Sequence, residues 1–159
     1  MFSKLFLQYN LYKRAKTDYK KFKSIPKNDR DVVFYAETRA DWGFLDPVYN
    51  ELIKTKKSIV RVTSDLNDKN LEEDNCFYIG NNSVRTIFFK LLDSKFLILT
   101  LTDLGTFYLK KSMYKVHYFY FFHSLNSTHV AYREHAFDNY STIFCTGHYH
   151  YNELKVTER

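Results

Sequence analysis

All six histidines of this 159-residue chain fall between His117 and His150. One of them, His123, follows directly on the apolar run Val116-His117-Tyr118-Phe119-Tyr120-Phe121-Phe122. Imidazole titrates near neutrality and can take up or release a proton during a reaction. A buried parallel strand ends where its backbone meets solvent, and open α/β sheets collect their ligands just past those carboxyl ends. His123 stands at such a position, and the residue type and placement point to a general base. Ser124 follows it, then the polar turn Leu125-Asn126-Ser127-Thr128-His129. His129 reads either as a second site residue or as the start of the next helix. His117 alternates with Tyr118 and is expected to be core or half-buried, and His135 to lie on a helix surface. Cys145-x-x-His148-x-His150 lacks the third and fourth ligands of a tetrahedral site, so no metal is expected there. Cys76 and Cys145 read as buried free thiols.

These side chains need a scaffold, and the pattern supplies one. Val32–Ala36, Ser58–Thr63, Cys76–Ile79, Phe96–Leu101, Val116–Phe122 and Thr142–Cys145 are strand-like and mostly continuous in apolar character. Between them lie helical patterns at Trp42–Thr55, Ser83–Leu92 and Val130–Phe137, and a last helix starts at His148. Alternation of this kind predicts an α/β fold, a parallel sheet with helices on both faces. The strand ends then share one rim, where Glu37-Thr38-Arg39, Ser64-Asp65, Thr102-Asp103, His123-Ser124 and Thr146-Gly147 converge. Around His123, the candidates for substrate contact are Asp103, Ser124 and His129. Only four glycines are present, so neither a dinucleotide fingerprint nor a P-loop is possible, and no G-x-S-x-G elbow occurs.

Charge is concentrated at one end. Residues 1–30 hold nine Lys/Arg against two Asp, a net +7, while the whole chain is +6, leaving −1 for residues 31–159. Residues 2–24 read as one helix with Phe2, Leu5, Tyr9, Tyr12, Tyr19 and Phe22 at helical spacing and Lys13, Lys20 and Lys21 toward the other side. Such a helix can lie on an anionic bilayer, its lysines on headgroups. It can equally pack across its own domain, and nucleic acid is a weaker third reading of the same charge.

Three segments resemble the N-terminal half of the CDP-glycerol glycerophosphotransferase family, the teichoic-acid-type polymerases and primases. They are Asp31-Val32-Val33-Phe34-Tyr35-Ala36-Glu37, Thr102-Asp103-Leu104-Gly105-Thr106-Phe107, and Val116 through Thr146 with Phe122-His123-Ser124-Leu125 at its centre. The likeness spans roughly residues 31–159. It implies two Rossmann-like domains facing a cleft, the GT-B architecture, with the acceptor and a histidine base on the N-terminal side and a CDP-activated donor on the C-terminal side. Where the family has His-Gly, this chain has His123-Ser124. A donor-binding domain of similar size would follow Arg159.

The expected organisation is thus a basic amphipathic helix over 1–28 and an acceptor-side Rossmann-like domain over 29–159. The resemblance implies a transferase of cell-wall or surface polymer synthesis, cytoplasmic and peripheral on the inner face of the membrane. Its partners would be a lipid-linked acceptor and, only with a second domain, a CDP-glycerol-type donor; no cofactor and no nucleic acid are expected. By itself the chain is expected to be inactive. Two other readings stay open, a non-catalytic module binding a phosphorylated polyol or lipid-linked saccharide, and a docking domain that pairs with a separate donor-binding chain.

Overall fold

Strands form where the apolar runs predict them. The computed structural model describes residues 2–55, 57–123 and 127–157. In it β1 (Val32–Ala36), β2 (Ile59–Thr63), β3 (Cys76–Tyr78), β4 (Phe96–Leu99), β5 (His117–Phe121) and β6 (Thr142–Phe144) form one sheet. Its order is β3-β2-β1-β4-β5-β6, with every neighbouring pair parallel. This is an α/β, Rossmann-like fold. β1 and β2 are buried at every position, as central strands covered on both faces must be. The charged exception, Arg61, stacks on the Tyr49 ring at 3.7 Å and pairs with Asp46 and Glu73 at 3.0 Å each. Sequence order reverses between β1 and β4, so their carboxyl ends flank the crevice where open sheets take ligands.

Helices cover the two faces unequally. α2 (Trp42–Ile53) packs Trp42, Leu45 and Tyr49 on Val32, Phe34, Ala36 and Ile59. The helix begins at Trp42, as the spacing predicts, and Pro47 sits inside it. The opposite face carries α1 (Phe2–Ser24) and α3 (Ser83–Lys90), with Phe22, Phe88 and Phe89 against Val33, Tyr35, Val62 and Leu99. Asn82 caps α3, its side chain accepting from the Val84 amide at 2.9 Å. On the α2 face the β4–β6 half is lined by aromatic rings that are not fully covered. Phe96, Phe119 and Phe121 are half-buried, Phe144 is exposed, and Phe121 and Phe144 stack at 4.3 Å.

α1 is two structures in one helix. Ala15 packs with Tyr78 and Val84, and Phe22 meets Phe77 and Phe88, so the helix runs against the strand direction. Its second half is core: Ala15 and Phe22 are fully buried. The first half passes the carboxyl end of β3, and residues 4–10 are exposed on every side. Nine residues, 4–12, at about 1.5 Å of rise make this arm about 13 Å long. The single apolar stripe expected from the spacing is therefore divided, with Tyr19 and Phe22 turned into the domain and Leu5 and Tyr9 left to solvent.

After β5 the chain departs from expectation. Only Thr128–Ala131 is helical (α4); Tyr132 is extended at φ −122°, and His135 is left-handed at φ 67°. Residues 130–137 were expected to continue as a helix. Packing overrides that spacing, because Tyr132, Phe137 and Tyr140 are drawn onto Tyr120 and Phe122. α5 (His148–Thr157) closes this cluster with Leu154.

Candidate functional site

The β1 and β4 strand ends are tied together by short-range chemistry. Thr38 and Asp41 form a capping box ahead of α2, the Asp41 carboxylate accepting from the Thr38 amide at 2.8 Å. Its other oxygen accepts from the Thr100 hydroxyl at 3.0 Å, which joins the loop after β1 to the end of β4. Arg39 donates its amide to Asp65 at 3.1 Å, bringing the β2 end into the same rim.

Beneath this rim runs a buried polar chain. Ser64 donates to the Gly80 carbonyl at 2.9 Å, and its hydroxyl lies 2.8 Å from the Tyr35 hydroxyl. Burial pushes the Tyr35 phenol up, against the Ser64 hydrogen bond and the charge of Arg85. Arg85, 8% exposed, donates to Glu37 Oε1 at 2.7 Å, and the Tyr108 hydroxyl donates to the same oxygen at 2.6 Å. The Arg85 guanidinium lies 3.4 Å over the Tyr108 ring. Burial and then the Glu37 carboxylate push the Tyr108 phenol up to about 12, so it stays a donor throughout the neutral range. Glu37 is on the rim foreseen in sequence, but Arg85 and Tyr108 are 48 and 71 residues away from it, and no local spacing announces them.

His123 lies directly past β5, exposed, with its ring edge-on to Phe44 of α2 at 6.1 Å. Asp103, just past β4, adopts φ 63° and holds Arg133 Nε at 2.7 Å and the Thr102 hydroxyl at 2.9 Å. Both therefore stand at the carboxyl rim, on adjacent strands. Their contacts differ, however: Asp103 engages Arg133 in the segment after β5, whereas His123 meets Phe44 of α2. Ser124 lies outside the described residues. His129 falls within α4, and its side chain also lies outside them.

The remaining histidines sort differently from expectation. His117 is exposed, not core or half-buried, because the face of β5 it shares with Phe119 and Phe121 is only partly covered; its Nε2 is 2.8 Å from the Thr142 hydroxyl. Among the histidines whose side chains are described, His150 is the buried one, 1% exposed, 4.3 Å from the Phe122 ring centre and 2.8 Å from the Thr146 hydroxyl. His135 is exposed in a turn rather than on a helix and lies 2.9 Å from Asp138. Cys145 is half-buried and Cys76 buried; burial pushes the Cys76 thiol up to about 12, so it is a poor nucleophile. Among the described residues no cluster of three or more His, Cys, Asp or Glu is placed to hold a metal ion.

Glu153 ties Ser127 and Thr128, at the start of α4, to α5. Its carboxylate accepts from the Thr128 amide and hydroxyl at 2.5 and 2.7 Å and from Ser127 at 2.7 Å. A hydrogen bond from Tyr149, with those from Thr128 and Ser127, holds this carboxyl down at about 2. α4 is thereby capped from α5, an arrangement that local sequence patterns do not encode.

Compared with known protein families, with curated proteins and with solved structures, the chain matches none.

Proposed function

We propose that this chain is the acceptor-side domain of a polyol-phosphate transferase of the CDP-glycerol glycerophosphotransferase type, working at an anionic membrane surface. One observation carries the reading. The first of the three segments with that resemblance is far in sequence from the other two, yet β1, the loop past β4, and β5–β6 adjoin at one carboxyl rim. His123 lies on that rim and is open to solvent. In the reaction, His123 takes the proton of an acceptor hydroxyl as that oxygen attacks the β-phosphorus of the donor. The new P–O bond forms while the bond to the CMP oxygen breaks, and CMP leaves with the pair. The donor would be held by a second domain, facing this rim.

The α1 arm supports the membrane part of the reading. Leu5, Phe6, Leu7 and Tyr9 are each more than half exposed and point around the helix rather than along one stripe. Lys13, Lys20 and Lys21 are exposed behind them, and no acidic residue precedes Asp18. Apolar tip and basic collar fit a bilayer with anionic headgroups, on the cytoplasmic side in this reading. No helix among the described residues is long and apolar enough to cross a membrane. The arm extends past the strands' carboxyl ends, so a membrane touching it lies on the rim's side of the sheet.

The acceptor half of this reading is testable on the chain alone. A short-chain, water-soluble lipid bearing terminal glycerol phosphate should shift the His123 ring-proton resonance, and the same lipid without the polyol phosphate should not. Equal shifts with both, or none with either, would sink the reading.

A further inference from the structure

At the point where strand order reverses, the crevice is filled by protein. Tyr108 reaches over it from the β4–β5 connection, donates to Glu37, and covers the Arg85 guanidinium with its ring. Two features of this arrangement do not suit a plain structural contact. Arg85 is more than nine-tenths buried, yet its Nε has no hydrogen-bond partner, which is costly for a buried charged group. Phe107, the neighbour of Tyr108, is 74% exposed and held at φ 40°, a left-handed conformation disfavoured for a bulky side chain. The tip that carries the cover is thus strained and has an apolar ring in solvent, while the guanidinium beneath it, paired through Nη1 with Glu37, has no acceptor at Nε.

We infer that Tyr108 is a displaceable plug over a second binding position, where Arg85 takes the phosphate and Glu37 a hydroxyl of a phosphorylated polyol. The plug already offers the hydroxyl half of that chemistry: a phenol O–H donating to the Glu37 carboxylate. A polyol hydroxyl can replace it donor for donor. A phosphate, with acceptor oxygens on several sides, supplies what the phenol ring cannot, acceptors for the guanidinium fork including Nε. Asp41 and Asp65 on the neighbouring loops are already engaged, by Thr38 and Thr100 and by Arg39 and Asn67, and Arg85 is a buried cation beside them. This inference rests on the proposed polyol-phosphate chemistry and places a subunit of the growing acceptor between β1 and β4, apart from His123 past β5. The position would hold the penultimate phosphate while the terminal hydroxyl meets the base.

The test is a titration of the full chain with glycerol 3-phosphate, and separately with inorganic phosphate, following the Arg85 Nε–H resonance and the affinity. Wild type should show a shift of Nε–H with glycerol 3-phosphate at the higher concentrations. Tyr108→Phe removes the hydrogen bond to a charged acceptor that the ligand must break, and should tighten binding by about tenfold. Arg85→Lys keeps a charge but loses the fork, and should weaken binding by at least about tenfold in the folded protein. Should Arg85→Lys fail to fold, Tyr108→Phe decides alone. Unchanged affinity in Tyr108→Phe, or no Nε–H shift with either ligand in that variant, overturns the inference. Ligand that shifts His123 and leaves Arg85 untouched also overturns it, while leaving the polyol-phosphate reading of the rim intact.

Discussion

The division of α1 into a built-in half and a projecting half makes a sharp prediction. Phe22 is fully buried, with Phe88 edge-on at 5.3 Å, Phe77 edge-on at 6.1 Å and the Arg30 guanidinium over its ring at 5.4 Å. Phe22→Ala removes all of these and leaves a cavity that the sheet cannot collapse to fill. Phe→Ala in a core costs about 3–5 kcal/mol, and with two aromatic neighbours we take about 4. With a urea dependence of about 2 kcal/mol per M for a domain of this size, the unfolding midpoint should fall by about 2 M. Leu5→Ser with Phe6→Ser touches only the exposed arm and should change stability by less than about 0.5 kcal/mol. The same pair should cut binding to anionic vesicles at least tenfold, since burying each such side chain contributes about 1.5–3 kcal/mol. Urea denaturation followed by circular dichroism, beside vesicle co-sedimentation, gives both numbers. A loss under 1 kcal/mol for Phe22→Ala, or one above 1.5 kcal/mol for the arm pair, would refute this division of the helix. Removing residues 1–28 would unfold the domain for the same reason; the deletion that isolates the arm is 2–12.

Three further outcomes follow from particular contacts. His150→Ala should lower stability by about 2–3 kcal/mol, because a buried ring against Phe122 is lost, while His117→Ala and His123→Ala should each stay within about 0.5; thermal melts rank the three. The Glu153 carboxyl is held low in the folded chain, so its contribution is complete above its ordinary value of 4.5 and lost as pH falls toward 2. The protection factor of the Thr128 amide should fall across that window, and in Glu153→Gln it should be low already at pH 7. Arg61→Ala leaves Asp46 and Glu73 without their shared cation and bares two aromatic faces, so a loss of about 3–5 kcal/mol is expected in chemical denaturation.

Much of this was legible in the sequence. Continuous apolar runs alternating with helical spacing gave every strand and the parallel sheet, and the residues after each run gave the rim. What stayed hidden has physical reasons. Periodicity shows that β5 alternates, but not how far a helix covers each face, so His117 reads as core although its side of the sheet is only partly covered. The spacing of Phe2 to Phe22 shows a stripe, but not where the domain beneath it stops. Short helices are decided by packing, which is why Tyr132 and Phe137 leave the helical path to meet Tyr120 and Phe122. Glu37, Arg85 and Tyr108 meet only through the folded sheet, and a lone arginine in the α3 pattern carries no signal of its buried partner.

The central claim is that His123 is the base on an acceptor-side rim. Its most direct test is CMP release from CDP-glycerol with a lipid-linked glycerol-phosphate acceptor, measured for this chain joined with a donor-binding domain and for His123→Ala in the same complex. The chain alone should give no turnover. In the complex, His123→Ala should lower the rate about a hundredfold or more with the melting temperature unchanged. Turnover by the complex that survives His123→Ala at the wild-type rate would contradict the assignment.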